Sequence, residues 1–201
     1  MKPSAVFFSP VLFAAGLALA AIFAPPAHGQ AQSHTQTFAV DPDASSVRMK
    51  LITTHEVVNG TFHVQSGSIN FDRTSPHLSG QVVVAAGSGK TGNEMRDKKM
   101  DKDILLVQQY ATVSFAPRSY SGTIPTAGDS TIQVSGVFTL LGSAHDLTIP
   151  MQIHRDGTSA TAKAQFTLPY VQWGLKNPSF MFWKAANDVT IDLSLVGQIA
   201  N

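Results

Sequence analysis

The chain has no cysteine. That excludes disulfide bridges, thiolate metal sites and a catalytic thiol. It also excludes a lipoprotein leader, which needs a cysteine where it is cut. Charge is scarce as well. Asp, Glu, Lys and Arg together make up 13% of the residues, about half the ordinary globular share. Ser, Thr, Gln, Asn and Gly must therefore cover the surface, which argues against a charge-laced helical bundle. Glutamate is nearly missing: Glu56 and Glu94 are the only two, and neither stands in an aromatic sugar platform.

No apolar run is long enough to span a bilayer as a helix. Val11 to Ala24 has 14 residues, against the ~20 that a span needs. It follows Lys2 and precedes Pro25-Pro26 and the small-residue pattern Ala27-His28-Gly29. These are the three parts of a secretory leader. We read residues 1–29 as a signal peptide, cut after Gly29 or, alternatively, after Ala31. The short run favours cleavage over retention as an N-terminal anchor. Loss of Lys2 leaves 13 basic and 13 acidic residues. A neutral chain has no general pull toward nucleic acid or anionic membranes. The basic cluster Arg96 to Asp103 is interleaved with acids and neutralises itself.

What is present is alternation. Val189, Ile191, Leu193, Leu195 and Ile199 fall on one side of a strand, with Thr190, Asp192, Ser194 and Gln198 on the other. The same period runs through Ala160 to Leu168, Leu147 to Ile153, Ile132 to Leu140 and Val47 to Leu51. Shorter strands are expected at Phe62 to Val64, Ile69 to Phe71, Gln81 to Ala86 and Val113 to Ala116. Turn signals separate them, among them Gln65-Ser66-Gly67, Leu141-Gly142 and Asp156-Gly157. About nine short strands joined by short turns imply antiparallel hairpins in a sandwich or a closed barrel. Residues 30–37 read as a polar, frayed tail. Residues 92–110 read as a short helix or ordered loop across the barrel. Residues 170–183 carry both tryptophans, and Gly174 and Asn177-Pro178 keep them from forming one regular element.

The chemistry-bearing motifs are weak. Gly87-Ser88-Gly89-Lys90-Thr91 has the look of a phosphate loop, but Val84 stands where its first glycine belongs, so a turn closing a strand is expected. His55-Glu56 is half of a zinc-protease signature whose second histidine is replaced by Asn59. His55 and His63 could meet across a hairpin, but no metal site is expected. No nucleophile elbow occurs. That leaves the interior. A barrel of about eight strands is filled by side chains or holds one small ligand. Ala160, Ala162 and Ala164, with Gly136 on another inward row, point to unfilled volume. The aromatic stretch 170–183 then forms a mouth, or a plug on the barrel end.

Phe38-Ala39-Val40-Asp41-Pro42, Gly60-Thr61-Phe62, Gly67-Ser68-Ile69-Asn70-Phe71-Asp72, Thr91-Gly92-Asn93-Glu94-Met95-Arg96-Asp97, Tyr110 to Phe115 and Gly136 to Gly142 stand in a telling order. In that order they resemble the YceI-like family of exported polyisoprenoid-binding proteins, over residues 38–199. Ala111 replaces a family proline, and the aromatic run Phe180 to Trp183 departs from the family's pattern. The resemblance implies an all-β, eight-stranded lipocalin-like antiparallel barrel with one short helix, spanning residues 38–201. It implies a periplasmic or secreted, non-enzymatic carrier of an isoprenoid lipid, a quinone or polyprenol derivative, with no other cofactor. On this reading Phe62, Phe115, Phe138, Ala162 and Phe166 line the pocket. Trp173, Phe180, Phe182 and Trp183 close or gate it. His55 and Arg96 meet the head group, and Asp97 orients Arg96 or caps the helix. Arg96 and Asp97 acting only as a structural pair is the alternative. A filled barrel that acts on a partner protein, a lipid isomerase or cyclase using His55, and a homodimer are further alternatives.

Overall fold

The computed structural model describes residues 35–200. The expected leader, both cleavage positions and most of the polar tail lie outside the described residues. Ten strands follow in chain order: β1 (Gln36–Val40), β2 (Ser46–Ile52), β3 (Val57–Phe62), β4 (Val64–Asp72), β5 (Ser75–Ala85), β6 (Thr112–Ser121), β7 (Gly128–Leu140), β8 (Ser143–Asp156), β9 (Ser159–Leu168) and β10 (Val189–Ala200). One helix, α1 (Glu94–Lys99), lies between β5 and β6 and runs into a π-helical turn at Met100–Ile104.

All neighbouring strands are antiparallel, and the sheet closes through β1 and β10. Ten strands occupy eight barrel positions. β10 pairs with β1 through Gly197 to Ala200 and with β2 through Thr190 to Ser194. β1 and β2 are therefore one barrel strand broken in the middle. The break has a local cause. Pro42 has no N–H to donate. Asp41 turns the chain by accepting the amides of Asp43 and Ala44 at 3.0 and 3.2 Å. The Ser45 hydroxyl then takes the Val196 N–H at 3.0 Å, so the ladder loses no bond.

β3 and β4 share the next position, broken at His63. There the backbone leaves the ladder: its N–H donates to Ser88 Oγ at 2.8 Å and its carbonyl accepts the Ala85 N–H. The expected strand Phe62 to Val64 thus straddles a break. The turn expected at Gln65-Ser66-Gly67 is instead a bulge inside β4, with a register shift against β5 between Val64 and Ser66. Gln36 and Thr37, read as part of the frayed tail, belong to β1. Their partners explain the difference, because Thr37 pairs with both Asn70 and Ala200.

The long alternating segments place their apolar sides inward as expected. A void remains along the axis, walled by Val189, Ile191, Leu193, Leu195 and Ile199 of β10 and their counterparts on the other strands. Two gaps open in the upper half of the wall. The β8–β9 ladder stops at Gln152–Lys163, two residues short of Pro150, which cannot donate. Among the described residues, the outer edge of β3 meets no strand and is bridged by Thr61 and Lys90. Residues 169–175 pack over the first gap. Leu168, Tyr170 and Leu175 are buried there with Phe138 and Leu140. Residues 86–110 cover the second.

Candidate functional site

The void is a cavity of about 430 Å³, within the usual range for small-molecule pockets of roughly 300–1,000 Å³. It runs from Ile199 to Val189 along β10, about 33 Å of strand at ~3.3 Å per residue. Its walls are apolar almost throughout. Polar side chains gather at one end, where Glu56, Thr91, Arg96, Lys99, Ser179 and Lys184 form a collar. The cavity exists because β9 offers little volume. Ala162 lies between Ile153 of β8 and Leu195 of β10 in the sheet, and Ala160 and Ala162 line the void without filling it.

The collar is built on residues 91–97. Asn93 caps α1, its Oδ1 accepting the Arg96 N–H at 3.1 Å. Asp97 is buried, and one of its oxygens accepts both the Thr91 N–H at 2.9 Å and the Thr91 hydroxyl at 2.6 Å. A hydroxyl has one proton, and here it goes to Asp97. The Thr91 oxygen is left to accept from Arg96 Nε at 3.0 Å. Arg96 Nη1 then donates to Glu56 Oε1 at 2.7 Å. Asp97, Thr91, Arg96 and Glu56 form one chain of charge-assisted bonds. It fixes a guanidinium at the rim of an apolar tube.

The Thr91 hydroxyl is the main reason the Asp97 carboxyl sits below the usual value of 3.8. Burial opposes this, while the Thr91 amide and the Lys90 and Arg96 charges add to the lowering. A lowered carboxyl pKa stabilises the fold fully above 3.8, and the contribution is lost as the pH falls through the native value. Amide protection at Thr91 should hold down to about pH 4 and fall below it. Asp97→Ala should lose that protection already at neutral pH. Protection that ignores acid until the whole barrel unfolds would contradict this. Asp101 behaves oppositely: burial pushes its carboxyl up, and one oxygen has no partner.

The structure sorts the sequence expectations. Phe62, Arg96, Phe115, Phe138, Ala162, Phe166 and Trp183 line the cavity. His55 does not. It is exposed and tilted against Trp183 with ring centroids 4.4 Å apart, because the turn after β2 points it away from the barrel axis. Trp173 does not gate the cavity either. Its ring lies flat on His145 at 4.3 Å and tilts against Phe138, where it helps to close the β8–β9 gap. Phe180 and Phe182 are 70% and 83% exposed and touch no part of the cavity. Asp97 does not cap the helix, since Asn93 does, and it reaches Arg96 only through Thr91. The aromatic stretch is therefore two things: a plug at 170–175 and a projecting hairpin at 180–183.

Several lining residues escaped the sequence reading. Glu56 was legible as one of two glutamates and in the zinc-protease look-alike, and Thr91 in the phosphate-loop look-alike and at the head of the Thr-Gly…Arg-Asp block, and none of these patterns placed either residue at a cavity. Tyr170 lines the cavity and donates to the Ala186 carbonyl at 2.7 Å, which no local pattern announces. The phosphate-loop look-alike is a lacing device. Ser88 Oγ ties His63 to Ala85, and Lys90 pairs with Thr61 through backbone bonds of 2.9 Å in both directions. Among the described residues no three His, Cys, Asp or Glu side chains are placed to share a metal ion. No described helix is long and apolar enough to cross a membrane.

A YceI-like domain model matches residues 38–197. The chain belongs to the YceI-like family. Solved structures agree on this fold. BcnA of Burkholderia cenocepacia is 19% identical, with a TM-score of 0.64 over 81% of this chain and 99% of its own. A polyisoprenoid-binding domain from Saccharophagus degradans, described as implicated in plant cell wall breakdown, is 14% identical, with a TM-score of 0.63 over 81% and 98%. The Campylobacter jejuni YceI protein is 18% identical, with a TM-score of 0.56 over 70% and 84%. A search of curated protein sequences returns no match. In this YceI-like barrel the Thr91 to Asp97 block is the part that builds the collar.

Proposed function

We propose that this protein is an exported carrier that holds one long apolar lipid, of the isoprenoid class, inside its barrel. The observation that carries the reading is the cavity itself: about 430 Å³, apolar along almost all of its length and charged only at the rim. Such a tube suits a chain with one polar end. Each buried methylene contributes about 0.8 kcal/mol, so the stretch of tail that the tube encloses is retained without strong polar contacts. Arg96, set by Thr91 and Glu56, stands where the polar end of such a ligand would rest. The Saccharophagus relative described as polyisoprenoid-binding supports the isoprenoid class, as a quinone or polyprenol derivative. An enzymatic role through His55 finds no support, because a general acid or base must reach the bound substrate and His55 faces outward. A filled barrel is hard to reconcile with the void.

The test is direct. The purified protein is extracted with organic solvent, and the extract is analysed by mass spectrometry. One isoprenoid per chain is expected. An extract without lipid, from protein that also fails to take up a fluorescent isoprenoid from ethanolic solution, would overturn the reading. Arg96→Ala should keep binding a tail without a head group and weaken a quinone or phosphate-bearing ligand by about tenfold. Equal loss for both ligand types would place no head group at Arg96.

A further inference from the structure

Residues 180–183 form a tight hairpin. Phe180 and Trp183 exchange backbone bonds of 2.9 Å in both directions, and Met181 takes a left-handed φ of 48° at the tip. The Thr54 hydroxyl donates to the Phe182 carbonyl at 3.2 Å, and the side chains at the tip stay exposed. The hairpin is nonetheless held firmly at its base. Asn177 Oδ1 accepts from the Ser179 amide and hydroxyl, and Asn177 Nδ2 donates to the Asn187 side chain at 2.9 Å. Thr54 donates its amide proton to the Lys184 carbonyl at 2.9 Å, and its hydroxyl accepts the Lys184 N–H. His55 tilts against Trp183 with ring centroids 4.4 Å apart.

This rigid mount displays Phe180, Met181, Phe182 and Trp183, which are 49–83% exposed. The other large apolar side chains left exposed among the described residues are Ile52, Val57 and Met95. Ile52 and Val57 are cross-strand partners at the end of the β2–β3 hairpin, and the Ile52 carbonyl accepts the Ala186 N–H. Met95 precedes Arg96, whose guanidinium bonds Glu56 beside Val57. All seven therefore belong to elements that bond to one another around the collar. The cavity-lining residues Thr53, Glu56, Arg96, Ser179, Trp183 and Lys184 lie within or directly beside these elements. Exposed apolar surface of this extent marks an interaction site, and here it surrounds the mouth of an apolar tube.

We propose that the mouth docks on a lipid bilayer, with the Phe180–Trp183 hairpin inserted into the headgroup–acyl boundary. A ligand that fills the cavity lives in a membrane and enters by its tail or leaves by it. Exchange through water would expose every methylene, whereas a mouth seated on the bilayer offers an apolar path. This rests on the carrier reading above. The composition of the tip also fits. Phe and Met reach deepest, Trp183 stands at the base of the hairpin, and Lys184 follows it, the order of an interfacial anchor. In the collar Arg96 is paired with Glu56, Lys99 is paired at 3.0 Å with Asp103 beside it, and the mature chain is neutral, so insertion rather than surface charge drives the docking.

The protein is mixed with phosphatidylcholine vesicles and floated on a density gradient. Flotation with the vesicles is expected, with little dependence on salt or on added phosphatidylglycerol. Trp183 emission should shift to the blue and be quenched by lipids brominated on the acyl chain. Phe180→Ser with Phe182→Ser should weaken vesicle binding by roughly a hundredfold, about tenfold per ring. Because both rings point into solvent, the thermal melt and the uptake of a fluorescent isoprenoid from ethanolic solution should not change. Protein that ignores vesicles while binding the isoprenoid overturns the docking and leaves the carrier reading standing. Vesicle binding without isoprenoid uptake does the reverse. A parent that runs as a dimer and a double variant that runs as a monomer would show that a second copy covers the hairpin, which also overturns the proposal.

Discussion

A chain with Ala162→Trp should fold, melt higher than the parent stripped of lipid and hold far less lipid. Ala162 is buried near the middle of the tube, between Ile153 and Leu195. In a close-packed core an added indole forces strain of about 1–3 kcal/mol. Here it enters a void, so apolar burial is gained and strain is small. A net gain of about 1–2 kcal/mol raises the melting temperature by roughly 2–8 °C for a domain of this size. The same ring occupies the ligand's path. Four displaced methylenes are worth ~3 kcal/mol, about two decades in affinity. Calorimetric melting and mass spectrometry of the extract read the two effects separately. A variant that melts higher yet carries as much lipid would place the ligand elsewhere. A variant that melts lower would mean that the centre of the barrel is already full, and Ala162→Leu, a smaller step, would then melt lower too.

Replacing Gly136 by valine should cost the fold far more. Gly136 lies on β7 opposite Pro117 of β6, where the ladder shifts register. A β-carbon there would run into the Ala116 carbonyl oxygen, lie 2.7 Å from the Pro117 Cα and 2.9 Å from the Phe115 ring. Two of these are backbone atoms of a strand in the closed sheet and cannot move alone. The bulge at Pro117 and the missing side chain at Gly136 are a matched pair that lets Phe115 lie over β7 and line the cavity. We expect a loss of about 3–5 kcal/mol, a fall of roughly 6–20 °C in melting temperature, and weaker ligand retention because Phe115 is displaced. Denaturant titration measures the stability change. A loss below about 1 kcal/mol would show that β6 adapts easily and would remove the reason for a glycine at this position.

Gly136 also marks how far a sequence can be read. Its inward position follows from alternation with Val134 and Phe138, and its small size suggests spare room. The spare room belongs to Phe115, not to a ligand. That depends on a strand pairing of β6 with β7, which alternation does not specify. The alanine row Ala160, Ala162 and Ala164 carries the same sequence signal, and beside Ala160 and Ala162 the volume does stay empty, because the neighbouring Ile153 and Leu195 do not cover it. The collar shows a similar division. Arg96 and Asp97 are adjacent in sequence and read as a pair, yet they meet through Thr91, and Arg96 finds its acid at Glu56, 40 residues away.

The aromatic stretch 170–183 shows the limit most clearly. Composition identified it as the one irregular, ring-rich segment, and Asn177-Pro178 as the point where it cannot be regular. Its two halves have similar residues and opposite fates. Tyr170, Trp173 and Leu175 are drawn into the gap left where the β8–β9 ladder ends near Pro150. Phe180 and Phe182 find no such gap and remain in solvent. By itself, the sequence determined the all-β class, the inward faces of the long strands, the family, and the segments that would matter. Those properties follow from local periodicity and from the order of motifs. Only the tertiary structure decided that the barrel is hollow, that β1–β2 and β3–β4 each fill one position, and that His55, Phe180 and Phe182 face away from the cavity. Each of these depends on which distant chain occupies the space opposite a residue, and a strand's own pattern says which face is apolar without saying what it will meet.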